Sequence, residues 1–196
     1  LNELLTFVDL GHGNGLFAPG LKLSPAELNQ VRHNAVLAHG LSVQAIRANG
    51  KKETKVGLAE NIKIPVPVIE TPENIRAAEL ALRELNAGYT NVIMEGKYTD
   101  AFLKAAGADA PRFTDEDLKT ISAPTDFMGI NVYAPTHYVQ AASNEQGYEF
   151  LRPGRFQERA QILDGLEIRI LGENVLHRPG VVGVDQKCQP FRLGPG

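Results

Sequence analysis

Cysteine is almost missing from this chain: Cys188 is the only one in 196 residues. An internal disulfide framework is therefore excluded, and a reducing compartment, with cytoplasm as the default, is the expected location. A basic excess is missing too. The formal net charge of −3 and pI near 6.0 give no reason to expect nucleic acid or an anionic membrane as a partner. No apolar run approaches the ~18 residues needed to span a bilayer. The first residues are too polar for a signal peptide, and Leu1 is no natural start. Metal-ligand spacing is also lacking. His12, His33, His39, His137 and His177 are scattered, with neither HExxH nor HxH. The glycine-rich stretch 11–15 has no GKS/T and no GxGxxG behind a hydrophobic strand, so it is not a phosphate cradle. No metal and no cofactor are expected.

What is present is ordinary for a globular protein: 43% hydrophobic residues and 22% charged in 21.3 kDa, enough to bury one core. Ser24-Pro25-Ala26-Glu27 is the clearest helix start, with Ser at the N-cap, Pro in the first turn and Glu three residues on. Leu28, Val31, Ala35, Ala38, Ala45 and Ile46 fit an apolar helical face, ended by Asn49-Gly50. Lys55–Asn61 reads as a strand, and Ile62–Ile69 as extended chain broken by Pro65 and Pro67. Thr71 opens a second helix with Ile75, Ala78, Leu82 and Leu85 at helical spacing, stopped by Gly88. Residues 89–112 read as irregular around a helical patch near Ala101–Ala106, and Thr114–Ile121 as a short capped helix. Such alternation predicts βα units on a parallel sheet. Beyond residue 150 the chain turns Gly- and Pro-rich, with Leu166–Leu171 as one further strand.

Residues 126–133, Asp-Phe-Met-Gly-Ile-Asn-Val-Tyr, carry the most information. This run of strand formers between Pro124 and Pro135 predicts a buried strand. Asn131 and Tyr133 then share one face. An amide and a phenol are poor core material, although buried polar groups satisfied by backbone are the plain alternative.

This strand resembles the "DF-x-G-(I/L)-N-x-Y" strand of the family 1 glycoside hydrolases, the β-glucosidase-like retaining enzymes. Five further segments resemble family motifs in the family's order. They are Asn2-Glu3, the loop Gly11–Gly20 (GHGNGLFAPG), the helix segment Asn34–Gly40 (NAVLAHG), the strand Lys55–Asn61 (KVGLAEN) and the turn Phe113–Asp117 (FTDED). The resemblance covers about residues 1–150. It implies an α/β fold, a partial (β/α)8 TIM barrel with parallel strands, over 1–150, with 151–196 a divergent, loop-rich segment completing at most one more strand. A whole barrel takes ~250 residues, and the strands that precede the family's Asn-Glu pair have no counterpart here. Family members line the sugar pocket with tryptophan, of which this chain has none.

The resemblance also implies chemistry. Retaining glycosidases use two carboxyls about 5–5.5 Å apart, one protonating the leaving group and one attacking the anomeric carbon. The acid needs burial or a neighbouring carboxylate to hold its proton near neutral pH. By resemblance Glu3 is the acid/base and Asn2 binds the sugar 2-hydroxyl, although Leu4 stands where the family has Pro. The plain alternative for Glu3 is a solvated surface carboxylate. Ile168–Asn174 ends in Glu173-Asn174 and resembles the "I-T-E-N-G" nucleophile strand. That makes Glu173 the candidate nucleophile, with Tyr133 hydrogen-bonded to it, although Val175 and Gly172 depart from the pattern and any Gly-Glu-Asn turn would look alike. The substrate implied is a small β-glucoside or oligosaccharide, with Asn131 and Tyr133 joining Asn2 as substrate-binding residues. The alternative is a non-catalytic partial barrel that acts only within a homo-oligomer or with a complementing chain.

Overall fold

The computed structural model describes residues 1–132 and 137–151. Tyr133, the expected strand Leu166–Leu171, Glu173 and Cys188 lie outside the described residues.

The chain opens with an isolated parallel bridge, Asn2 to Ala59, that sets its first residues alongside the later strand β1 (Gly57–Asn61). A short helix α1 (Leu4–Val8) and a π-helical turn (Asp9–Gly13) follow. The long helix α2 (Pro25–Asn49) begins as its sequence predicts. Ser24 Oγ accepts from the Glu27 N–H at 3.4 Å while Glu27 Oε2 accepts from the Ser24 N–H at 2.9 Å. Each carboxylate or hydroxyl here satisfies an N–H that no helical carbonyl can reach. Ser24→Ala is expected to cost about 1 kcal/mol of stability, measured by denaturant titration.

The buried face of α2 differs from the apolar face read in the sequence. It runs through Asn29, His33, Ala35, Val36, His39, Gly40 and Val43, so Ala35 is buried as read, whereas Ala38, Ala45 and Ile46 are exposed. The reason is packing distance. A Cβ on Gly40 would stand 2.0 Å from the Thr120 carbonyl oxygen, so α2 meets helix α6 (Asp115–Ile121) backbone to backbone at this glycine. Hydrophobicity alone does not register a face defined by glycine and histidine.

After β1 comes a short strand β2 (Pro65–Pro67), then helix α3 (Pro72–Leu85). Here too the face differs: Ala77, Ala78 and Ala81 are buried, while Ile75 and Leu82 are exposed. The three alanines pack against Val139 and Tyr148 in a second small core. The helix stops at Asn86 rather than Gly88. There the Asn86 amide accepts from Lys63 N–H at 3.1 Å and donates to the Lys63 carbonyl at 3.0 Å, tying the β1–β2 link to the helix end. Within the stretch read as irregular, the helical patch near Ala101–Ala106 is helix α5 (Asp100–Ala106), and it is preceded by a helix that was not read there, α4 (Val92–Glu95). Thr99 starts α5 by accepting from the Phe102 N–H at 3.1 Å.

Strand β3 (Phe127–Asn131) pairs parallel with β1, Gly57 opposite Phe127 and Asn61 opposite Asn131. Strand β4 (His137–Ala141) pairs parallel with β2, and β5 (Tyr148–Leu151) turns back antiparallel along β4. That antiparallel addition follows from the Asn144–Gly147 turn, where Gly147 adopts φ 77° and donates to Asn144 Oδ1 at 2.8 Å. β3 is less buried than its composition suggests: Phe127 and Ile130 are 54% and 56% exposed. Among the described residues only β1 pairs with it, which leaves its other edge uncovered.

Asp126 sets the register of the β1–β3 pair. Its Oδ2 accepts from the Val56 N–H at 2.8 Å and from Arg47 Nη2 at 2.6 Å, and its own N–H donates to the Val56 carbonyl at 2.7 Å. The main core lies between β1 and the helices: Leu4, Val8, Val36, Leu58, Tyr89, Val92 and Ile121 are all buried in it.

Candidate active site

Three parallel segments, Leu1–Glu3, β1 and β3, end along one edge, and the polar side chains collect there. The Glu3 N–H donates to the Ala59 carbonyl at 2.8 Å, and the Ala59 N–H to the Leu1 carbonyl at 3.2 Å. These bonds place Asn2 and Glu3 beside the last residues of β1. Register puts Asn61 and Asn131 opposite each other at the same level. Asn131 Nδ2 donates to Glu3 Oε1 at 2.9 Å and to Asn2 Oδ1 at 3.2 Å. Of the residues singled out in the sequence, Asn2, Glu3 and Asn131 thus converge. Tyr133 and Glu173 lie outside the described residues.

Glu3 is also the turning point of the backbone. It adopts φ 51°, ψ 53°, the only non-glycine positive φ among the described residues. A left-handed L-residue costs roughly 1–2 kcal/mol, and it persists where neighbours over-determine it. Directly after the turn, the N–H groups of Leu4 and Leu5 are accepted by the carboxylate of Glu60, at 3.1 and 3.2 Å. Glu60 is wholly buried. Burial pushes its carboxyl above the usual range, the N–H groups of Asn61, Leu5 and Leu4 pull it back, and the charge of Glu3 raises it further.

Sequence reading missed Glu60 and Asn61. The signal was available: on a strand, Glu60 falls on the same face as Leu58 and Val56, so a carboxylate had to be buried there or the strand reading was wrong. Asn61 falls on the face of Asn131, and its Nδ2 donates to Thr6 Oγ1 at 3.1 Å.

Two further polar sets brace the helices behind this edge. Asp9 Oδ1 accepts from Arg32 Nε and from the Tyr89 hydroxyl, both at 2.9 Å. Burial first, then the Asp9 charge, pushes the Tyr89 phenol far above its ordinary range, so it stays a neutral donor. On α2, His33 Nδ1 lies 2.9 Å from the Tyr98 hydroxyl and its Nε2 3.7 Å from Asp117. Burial lowers the His33 pKa, and Asp117 opposes this only in part. A histidine lowered in the folded state leaves the unfolded chain binding more protons. Its contribution is complete above the unfolded value of about 6.5 and is lost as pH falls. The His33 imidazole is expected to titrate with a midpoint below the ordinary value of about 6.5, with the melting temperature declining as pH falls through that midpoint. Imidazole proton NMR against pH checks this, and an ordinary titration midpoint would contradict it.

A cavity of about 460 Å³ lined by Ile62, Ile64, Leu82, Arg83, Asn86 and Ile130 opens nearby. It reaches Ile130, whereas the polar edge uses Asn131. Adjacent strand residues face opposite ways, so the cavity is separate from the Asn2–Glu3–Asn131 group.

The profile of glycosyl hydrolase family 1 matches residues 1–165. The chain belongs to glycosyl hydrolase family 1. Among curated family members, β-glucosidase A of Acetivibrio thermocellus is 34% identical over 142 residues, covering 71% of this chain and 31% of that protein. β-Glucosidase 1B of Phanerodontia chrysosporium is 31% identical over 169 residues, covering 78% and 31%. The crystal structure of β-glucosidase 2 from Trichoderma reesei, in complex with Tris, aligns with a TM-score of 0.64 at 30% identity, covering 76% of this chain and 34% of that one. The fold is accordingly part of a (β/α)8 family 1 barrel, and the chain spans about a third of the length of the curated relatives it matches. Among the described residues, no helix is long and apolar enough to cross a membrane.

Proposed function

We propose that this chain carries the acid/base side of a retaining β-glycosidase centre acting on a small β-glucoside or oligosaccharide. The observation that carries the reading is the pair of hydrogen bonds from Asn131 to Asn2 and Glu3, joining residues 129 and 128 positions apart at one strand edge. In this reading Glu3 gives its proton to the glycosidic oxygen as the C1–O bond breaks and a second carboxylate bonds to C1. Glu3, now ionised, takes a proton from the water that displaces that carboxylate. Asn2 holds the sugar 2-hydroxyl, and Asn131 fixes the Asn2 and Glu3 side chains. Glu173 is the proposed nucleophile and Tyr133 its hydrogen-bond partner. Residues 1–150 would form the barrel segment and 151–196 a divergent, loop-rich C-terminal segment that completes at most one further strand. Relatives described as β-glucosidases and as 1,4-β-D-glucan glucohydrolases support the substrate class. The test is hydrolysis of an aryl β-glucoside by the protein, and its loss in Glu3→Gln.

The exposed Phe127 and Ile130 on β3 favour a second reading. Here the segment is inactive by itself and works with another copy or a complementing chain that covers this strand. A dimeric or mixed mass together with no turnover by the isolated chain would support it.

A further inference from the structure

We propose that Glu60 is a positioning residue for Glu3, acting through the backbone of Leu4 and Leu5. The inference rests on the reading of Glu3 as the acid/base. The turn at Glu3 breaks an extended segment and starts a helix within one residue, in a backbone conformation that a side-chain-bearing residue resists. Its own side chain makes no cap to α1. The cap comes instead from β1, 56 residues away: Glu60 Oε2 accepts from Leu4 N–H, and Oε1 from Leu5 N–H and from Asn61 N–H. One carboxylate therefore fastens both sides of the turn. It holds the first two amides of the helix, and through Asn61 it holds the end of the strand that lies opposite Asn131. A wholly buried carboxylate in the helix-facing row of β1 has no role in the apolar core. It is consistent with a group kept to hold the turn, because the buried N–H donors of Leu4 and Leu5 would otherwise lack this acceptor.

Glutamine at this position keeps the shape and one acceptor. With its oxygen at the Oε1 place it still serves Leu5 and Asn61, but its NH2 then faces the Leu4 N–H, donor against donor. The turn must relax, and the Glu3 carboxyl moves with it. A displacement of about 1 Å at a reacting group costs on the order of 100-fold.

The experiment uses Glu60→Gln and Glu60→Asp in the natural protein carrying this chain, with Glu3→Gln in parallel and two substrates. An alkyl β-glucoside needs a proton on its leaving group, and a dinitrophenyl β-glucoside does not. The expected result is a fall of about 100-fold in kcat/KM for the alkyl glucoside, with kcat/KM for the dinitrophenyl glucoside unchanged. Glu3→Gln should show the same selectivity, more strongly. Equal losses on both substrates, or no loss on either, would overturn the role of Glu60. So would a variant that circular dichroism shows to be unfolded, since Glu60 would then serve folding. If Glu3→Gln lacks the selectivity, or the unsubstituted protein cleaves neither substrate, the acid/base reading falls, and this one with it.

Discussion

Replacing Glu3 by glutamine is expected to lower kcat/KM for an alkyl β-glucoside by about 10²–10⁴-fold, the usual worth of a positioned general acid. Glutamine preserves the hydrogen bond from Asn131 Nδ2 at the position of Glu3 Oε1, so geometry is kept while the transferable proton is lost. A dinitrophenyl glucoside escapes the first penalty because its leaving group departs without protonation. It does not escape the second. Release of the glycosyl-enzyme needs the same residue as base, so kcat for that substrate should drop while kcat/KM holds. Proton NMR of the first-formed sugar should show the β-anomer from the unsubstituted protein. An α-anomer would mean inversion and would remove the covalent step from the proposed mechanism. Equal rates for the two forms of the protein would return Glu3 to the status of a surface carboxylate.

The second large effect concerns folding. Gly40→Ala is expected to destabilise the protein by ~3 kcal/mol, at the severe end for overpacking. The added Cβ would lie 2.0 Å from Thr120 O, 2.5 Å from Thr120 C and 2.9 Å from Ile121 Cα, all backbone atoms that no side-chain rotation can move aside. Helix propensity acts the other way, because alanine is favoured over glycine by about 1 kcal/mol inside a helix. The contact outweighs it. For a chain of this size the melting temperature should fall by roughly 6–12 °C, seen by calorimetry. A shift within about 2 °C would show that α2 and α6 separate readily, contrary to the close approach described.

How legible was this in the sequence? The helix start at Ser24 was fully so, because capping is local chemistry written in four consecutive residues. The strands ending in Asn61 and Asn131 were legible as elements, and the order of motifs gave the barrel class. Helix faces were not. On α2 the buried row passes through His33 and Gly40, whose placement depends on the Tyr98 hydroxyl and on the backbone of α6. On α3 Ala78 was read correctly, and the alanines win the core because a small side chain lets the helix lie close to β2 and β4, while Leu80 and Leu82 are left outside. Of the proposed site residues, Asn2, Glu3 and Asn131 were singled out through motif order, and their side chains are joined by hydrogen bonds. Glu60 was overlooked because its partners are backbone N–H groups of residues far away in the chain, and no side-chain pattern announces such a contact. The exposure of Phe127 and Ile130 was equally hidden, since composition records how apolar a strand is but not how many neighbours it has.

The anchoring of Asp126 has a consequence for the opposite end of the strand pair. Asp126 and Asn131 are separated by about 16 Å of extended chain, and side chains on a strand alternate without slack. If the ties to Val56 and Arg47 were loosened and β3 slid one place along β1, the amide at the rim would rotate toward the helices and Ile130 or Val132 would take its place. A polar rim would become an apolar one without any substitution in it. The aspartate at the head of that motif is therefore the part that decides which way the asparagine looks.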